Sequence, residues 1–79
     1  MLKYRFNVGD ALERAGFNTY KAQKTKILSA DTLKKIKKED TAITLQALNQ
    51  ICMILDMQPG DILRYVPDET DRENKEKLF

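Results

Sequence analysis

Seventy-nine residues, fewer than a typical domain holds, exclude a multidomain enzyme and leave one small core whose thin stability margin a partner subunit would raise. With 42% hydrophobic and 33% charged residues, no histidine and Cys52 as the sole thiol, the composition fits one highly charged globular domain; it excludes an internal disulfide and a His/Cys metal site, and no cofactor is expected. The net charge of +2 is a near-cancellation, because residues 1–40 carry ten Lys/Arg against five Asp/Glu while residues 41–79 carry four against seven.

Leu2, Tyr4, Phe6 and Val8 alternate with Lys3, Arg5 and Asn7, the period-two pattern of a half-buried strand. The same alternation stands where a secretory signal needs an unbroken apolar block. No later run approaches the roughly 20 residues of a bilayer span, so a cytoplasmic chain with no membrane partner is expected. Val8, Ala11, Leu12 and Ala15 fall at i, i+3, i+4 and i+7 and predict a first helix over 8–15, followed by Gly16 as its left-handed residue and Phe17 as an apolar follower. Asn18 caps a second helix running to Lys26, with Ala22, Ile27 and Leu28 pointing inward.

Ser29 caps a third helix with Leu33 and Ile36 on its inner face and lysines 34, 35, 37 and 38 on the remainder. After the polar break Glu39–Asp40–Thr41, Thr44 caps a fourth helix in which Leu45, Leu48, Ile51, Cys52 and Leu55 form one apolar stripe. Cys52 on that stripe reads as a small core hydrophobe. Gln58–Pro59–Gly60–Asp61 places proline at N1 and an acid in the first turn of a short fifth helix over 59–64. Leu63, Tyr65 and Val66 extend into a second strand, and because strands need partners, residues near 2–7 are expected to pair with residues near 63–67. Residues 68–79 hold eight charges in twelve residues and no sustained stripe, which makes them a charged tail on a domain spanning 1–67, either mobile or a solvated helical extension.

Within 20–38, seven lysines (21, 24, 26, 34, 35, 37 and 38) oppose Asp31 alone. That is the footprint of a polyanion partner, or of a solvated helix face. The order of parts around it decides more than the charge does. Two short helices flank a turn of three to four residues, the second is capped by Ser29 and basic, and a long apolar helix follows as support: a helix-turn-helix with its scaffold. The expected fold is therefore mainly α, five helices with a two-stranded ribbon joining the ends. The major groove of B-DNA admits one helix, which enters with its unpaired amides toward phosphates and its first side chains toward base edges. Thr19, Tyr20 and residues 29–35 occupy those places.

Over residues 7–66 the chain resembles the Cro and phage-repressor class of helix-turn-helix regulators, the XRE family. The matching residues are Asn18–Thr19–Tyr20–Lys21–Ala22 for the positioning helix and Leu28–Ser29 for the end of the turn. Ser29–Ala30–Asp31–Thr32–Leu33–Lys34–Lys35–Ile36 match the recognition helix, and Thr44–Leu45 with Leu48, Ile51 and Leu55 the fourth helix. Leu48–Asn49–Gln50–Ile51–Cys52, Leu55–Asp56 and Gln58–Pro59–Gly60–Asp61–Ile62–Leu63 resemble a small Cro-like subgroup of bacterial and mobile-element regulators. Gln23 stands where the family commonly has alanine, and Ile27 where it often has a turn glycine, which bears on the tightness of the turn.

The resemblance implies a DNA-binding set of Thr19, Tyr20, Ser29, Ala30, Asp31, Thr32, Lys34, Lys35 and Lys38. Ala30 stands where family members often have glutamine and offers only a methyl contact, so reading shifts to Asp31, Thr32, Lys34 and Lys35: a lysine to guanine, Asp31 to cytosine N4. Each also has a structural role without DNA. Asp31 suits the first turn of its helix, Ser29 is a cap, Thr32 is a helix-surface residue, Lys37 and Lys38 complement the helix C-terminus, and the Tyr20 ring either stacks on the scaffold or offers its hydroxyl to a phosphate. The function expected is sequence-specific binding of double-stranded DNA by a homodimeric repressor on a near-palindromic site. The alternative is an antitoxin or other protein-interaction module on the same fold. With no histidine, no paired-carboxylate cleft and no glycine-rich phosphate loop, neither enzymatic activity nor a small-molecule substrate is expected.

Overall fold

Helix ends in this chain are set by local chemistry, and the computed structural model, which describes residues 1–79, shows the caps at work. Its order is β1 (Leu2–Tyr4), α1 (Val8–Arg14), α2 (Thr19–Thr25), α3 (Ala30–Lys37), α4 (Leu45–Leu55), α5 (Pro59–Ile62), β2 (Leu63–Tyr65) and α6 (Glu69–Leu78). Asn7, Asn18, Ser29, Thr44 and Asp68 each accept a backbone N–H three residues on, satisfying donors that helix geometry leaves unpaired. At the other ends the chain turns through left-handed residues. Gly16 does so after α1 at no steric cost, but Lys26, Glu39 and Asp56, at φ 56°, 62° and 54°, carry side chains there. The turn after α3 has both bonds of a Schellman closure, from the Glu39 N–H to the Ile36 carbonyl (3.0 Å) and from the Asp40 N–H to the Lys35 carbonyl (2.8 Å).

Ten apolar side chains make the core: Val8 and Leu12 from α1, Phe17, Ala22 from α2, Leu28 from the turn, Leu33 and Ile36 from α3, Ala47 and Ile51 from α4, and Ile62 from α5. No polar or charged residue is buried. Gly9 lets α1 and α3 approach closely, since a Cβ there would lie 3.3 Å from Lys37 Cγ. β1 and β2 pair antiparallel with Leu2 opposite Tyr65, Lys3 opposite Arg64 and Tyr4 opposite Leu63. The ribbon joins residues near both ends of the chain as the period-two pattern predicts, although the strand stops at Tyr4. It also holds the loop after α3: the Tyr4 hydroxyl donates to the Asp40 carbonyl at 2.8 Å, and the Thr41 hydroxyl to the Leu2 carbonyl at 3.3 Å. Half-burial, then the Asp40 carboxylate nearby, pushes the Tyr4 hydroxyl above its ordinary pKa of 10.0.

The structure sharpens three expectations. The fifth helix ends at Ile62, not 64, because Leu63 is already extended and paired with Tyr4. Of the two forms expected for residues 68–79, the solvated helical extension is the one found: a sixth helix, α6, opened by a reciprocal cap between Asp68 and Asp71, with Asp71 also accepting from the Met1 amino group. It buries no residue, and the radius of gyration of 14.2 Å exceeds the roughly 12 Å of a compact chain this size because the molecule is drawn out to 47 Å. Lastly, the expected stripe of α4 faces the core through Leu48, Ile51, Cys52 and Leu55 but not through Leu45, and Ala47 joins it. Ala47 and Ile51 are buried, Leu48, Cys52 and Leu55 are half-buried, and Leu45 is 84% exposed. Leu45 lies at the margin of the apolar arc, next to the polar side that Gln46, Asn49 and Gln50 form, and the core does not reach that far.

Two measurements check these points. Replacing Glu39, a left-handed acid at a helix C-terminus, by glycine relieves both penalties and is expected to raise stability by about 0.5–1 kcal/mol, read as a melting temperature higher by about 3–6 °C. Because the folded chain holds Tyr4 neutral beyond its ordinary pKa, its contribution is complete below pH 10 and is lost as pH rises through the higher folded value. Melting temperatures should fall above pH 10, and less steeply in Tyr4→Phe.

Candidate nucleic-acid interface

Asn18 Oδ1 accepts the Lys21 N–H at 2.9 Å and starts α2 with Thr19 and Tyr20 exposed at its first positions. The helix closes on Lys26, whose N–H reaches the Ala22 carbonyl at 2.9 Å. Leu28 then drops into the core with Ile27 half-buried beside it. The left-handed residue of the turn is thus Lys26 and not Ile27, so the turn closes without a glycine at 27, and the exposed Gln23 is accommodated without packing. Ser29 next accepts the Thr32 N–H at 3.1 Å, and its hydroxyl donates to Thr32 Oγ1 at 2.9 Å.

Leu33 and Ile36 are the only buried residues of α3. With about 100° between successive side chains, Asp31, Lys34, Lys35 and Lys38, spaced i, i+3, i+4 and i+7, lie on the side away from them. All four are exposed, as is Ala30 at the helix start. The structure therefore brings Ala30, Asp31, Lys34, Lys35 and Lys38 together on one outward face, with Thr19 and Tyr20 exposed at the head of the preceding helix.

Several residues stand differently from expectation. Thr32 is half-buried and its hydroxyl belongs to the cap. Lys35 bends back, its Nζ 3.2 Å from the Ala42 carbonyl, which ties the helix to the loop that follows. Lys37 turns toward α1, 3.9 Å from a Glu13 carboxylate oxygen. Tyr20 does not stack on the scaffold: it is 66% exposed, its hydroxyl accepts from Lys24 Nζ at 3.3 Å, and that ammonium stands 5.6 Å from the ring centroid. Lys24 and the exposed Lys21 were not in the expected set. The i, i+4 spacing of Tyr20 and Lys24 was the signal that could have found the first. The Lys34 side chain makes no hydrogen bond or ion pair within the chain, which leaves its ammonium open to a ligand.

The geometry is that of a helix-turn-helix: a short positioning helix, a four-residue connection, and a capped helix held to the body by two side chains with its basic face outward. The class it defines is a DNA-binding protein. The chain matches the family model of the Cro/C1-type HTH DNA-binding domain over residues 10–68, about three quarters of its length, and belongs to that family. Searches of curated proteins and of solved structures return no match. The family is typically non-enzymatic, and no helix is long and apolar enough to cross a membrane.

Ser29 carries the cap on which the basic helix starts. Ser29→Ala should lower stability by about 1 kcal/mol, a drop of about 4–8 °C in the melting temperature, because the Thr32 N–H loses its acceptor.

Proposed function

We propose that this DNA-binding chain is a sequence-specific, homodimeric repressor of transcription that acts in the cytoplasm on a near-palindromic site. The observation that supports it most is the row Asp31, Lys34, Lys35 and Lys38 on the outward face of a helix that only Leu33 and Ile36 hold down. In this reading α3 lies in the major groove. The Ala30 methyl meets a thymine methyl, the Asp31 carboxylate accepts from cytosine N4, and Lys34, free of partners within the chain, donates to guanine O6 or N7. Lys35, tethered to Ala42, and Lys38 serve backbone phosphates, as do Thr19 and Tyr20 at the start of α2, while Ser29, whose hydroxyl donates to Thr32, contributes through the helix start that it caps. Thr32, half-buried and engaged in the cap, has the least to offer a base. One module reads few base pairs, and two copies spaced about 34 Å apart read a symmetric site. Residues 1–67 form the working domain and α6 an appendage to it.

The open apolar face of α4 also favours a second reading, a protein-interaction module on the same fold. Replacing Lys34 and Lys35 together by alanine separates the two. For DNA reading the double variant keeps its melting temperature within a few degrees and loses about 10- to 100-fold in operator affinity, with a salt slope shallower by about 0.9 for each phosphate contact removed. Unchanged regulation in cells by the double variant favours the protein partner. A wild-type affinity that stays flat from about 50 to 200 mM salt sinks the DNA reading.

A further inference from the structure

None of the eleven residues of α4 is charged, in a chain where 26 of 79 are. One side of this helix is nevertheless open. At about 100° per residue, Leu45, Asn49, Met53 and Asp56 are exposed on the side opposite Ala47 and Ile51, the half-buried Leu48 and Cys52 flank them, and the six line a shallow groove. Leu45 is 84% and Met53 55% exposed. An exposed stripe of this kind, with a single charge at one end, marks a surface that a partner covers.

We propose that the partner is a second copy of this chain, with α4 packed antiparallel on α4 of the other copy about a two-fold axis. The six positions are symmetric in spacing about the point midway between Asn49 and Cys52. An antiparallel copy therefore sets Leu48 against Met53, Asn49 against Cys52 and Leu45 against Asp56, each pairing occurring twice, as an isologous contact requires. Charge complementarity selects the same arrangement. Asp56 is the one charge on the stripe and sits at the C-terminus of its own helix, where an acid is unfavourable, while the first turn of α4 holds no acid. In the antiparallel pair each Asp56 carboxylate, about 8 Å from the axis, comes beside the N-terminal amides of the other α4. The open edge of β2 is a poorer interface, since strand pairing about a two-fold there sets Arg64 against its own copy. The groove offers nine residues a side against the roughly 20–30 of a standard interface, so the dimer is weak in solution, in the micromolar range, and is consolidated on DNA.

The proposal rests for its purpose on the paired DNA-binding reading, but its test needs no DNA. Sedimentation equilibrium of the full chain is compared with Leu45→Glu and Asp56→Lys, both at exposed positions, with thermal melting as the folding control. Each variant alone sets an unfavourable charge at both ends of the interface and is expected to weaken dimerisation at least about tenfold. Leu45→Glu, which adds an acid to the first turn of α4, should fold at least as stably as the parent. An equimolar mixture should recover a heterodimer within about threefold of wild-type affinity, because the carboxylate introduced at position 45 of one copy then faces the ammonium introduced at position 56 of the other, while the second end keeps its native pairing. A dimer indifferent to either change, a mixture that fails to recover, or a wild-type chain monomeric at about 1 mM overturns the proposal. Duplex binding by these variants is measured separately. If neither they nor the wild type bind duplex DNA, the DNA reading fails while the self-association result stands.

Discussion

The attachment of α3 by two side chains is the constraint on which the rest of the molecule depends. Leu33 and Ile36, one turn apart, are its whole share of the core, and they occupy less than half of the helix circumference. A helix buried more broadly would have no face to offer a groove, and one buried less would not hold its orientation. What the narrow attachment lacks is supplied at the ends. Ser29 pins the first turn, the Schellman closure through Glu39 and Asp40 pins the last, and Lys35 bridges to Ala42. The body then presents α3 as a rigid element, the condition under which side chains at set spacings can meet base edges.

The ribbon belongs to the same support. Tyr4 and Thr41 bind the loop after α3 to β1, so a strand at one end of the sequence steadies the connection between the recognition helix and α4. These are long-range contacts made by few residues, and in a 79-residue chain each one matters because the core holds only ten side chains. The left-handed lysine at 26 has a similar logic. Its backbone strain is tolerated because Ala22 and Leu28, on either side of the turn, are both buried and fix where the chain must go.

α4 shows how one helix is asked to do two things. Ala47 and Ile51 join the shared core where α4 packs on α1 and α5, and the other side carries a stripe with spacing that is symmetric about its own middle. In the proposed dimer the absence of charge along all eleven residues serves both sides, since the exposed stripe is then covered by the other copy.

Much of this was legible in the linear chain because caps and short amphipathic patterns are local. Asn18, Ser29 and Thr44 announce their helices, Leu33 and Ile36 declare the inner face of α3, and alternation from Leu2 predicts a strand whose partner lies near 63–67. Of the candidate interface, the outward position of Asp31, Lys34, Lys35 and Lys38 follows from the same 3.6-residue period. Tertiary structure alone decided the rest. The exposure of Leu45 was not readable, because it lies at the edge of the α4 stripe, where only the packing of neighbouring elements decides how far the core reaches. Lys35 on Ala42, Lys37 beside Glu13 and Tyr4 on Asp40 are meetings between elements, set by how α1, α3 and the ribbon stack and not by any spacing within one of them. The sixth helix lies between the two: the Asp68 and Asp71 cap is written in the chain, but with no apolar stripe to promise burial, only the folded molecule shows α6 as a helix.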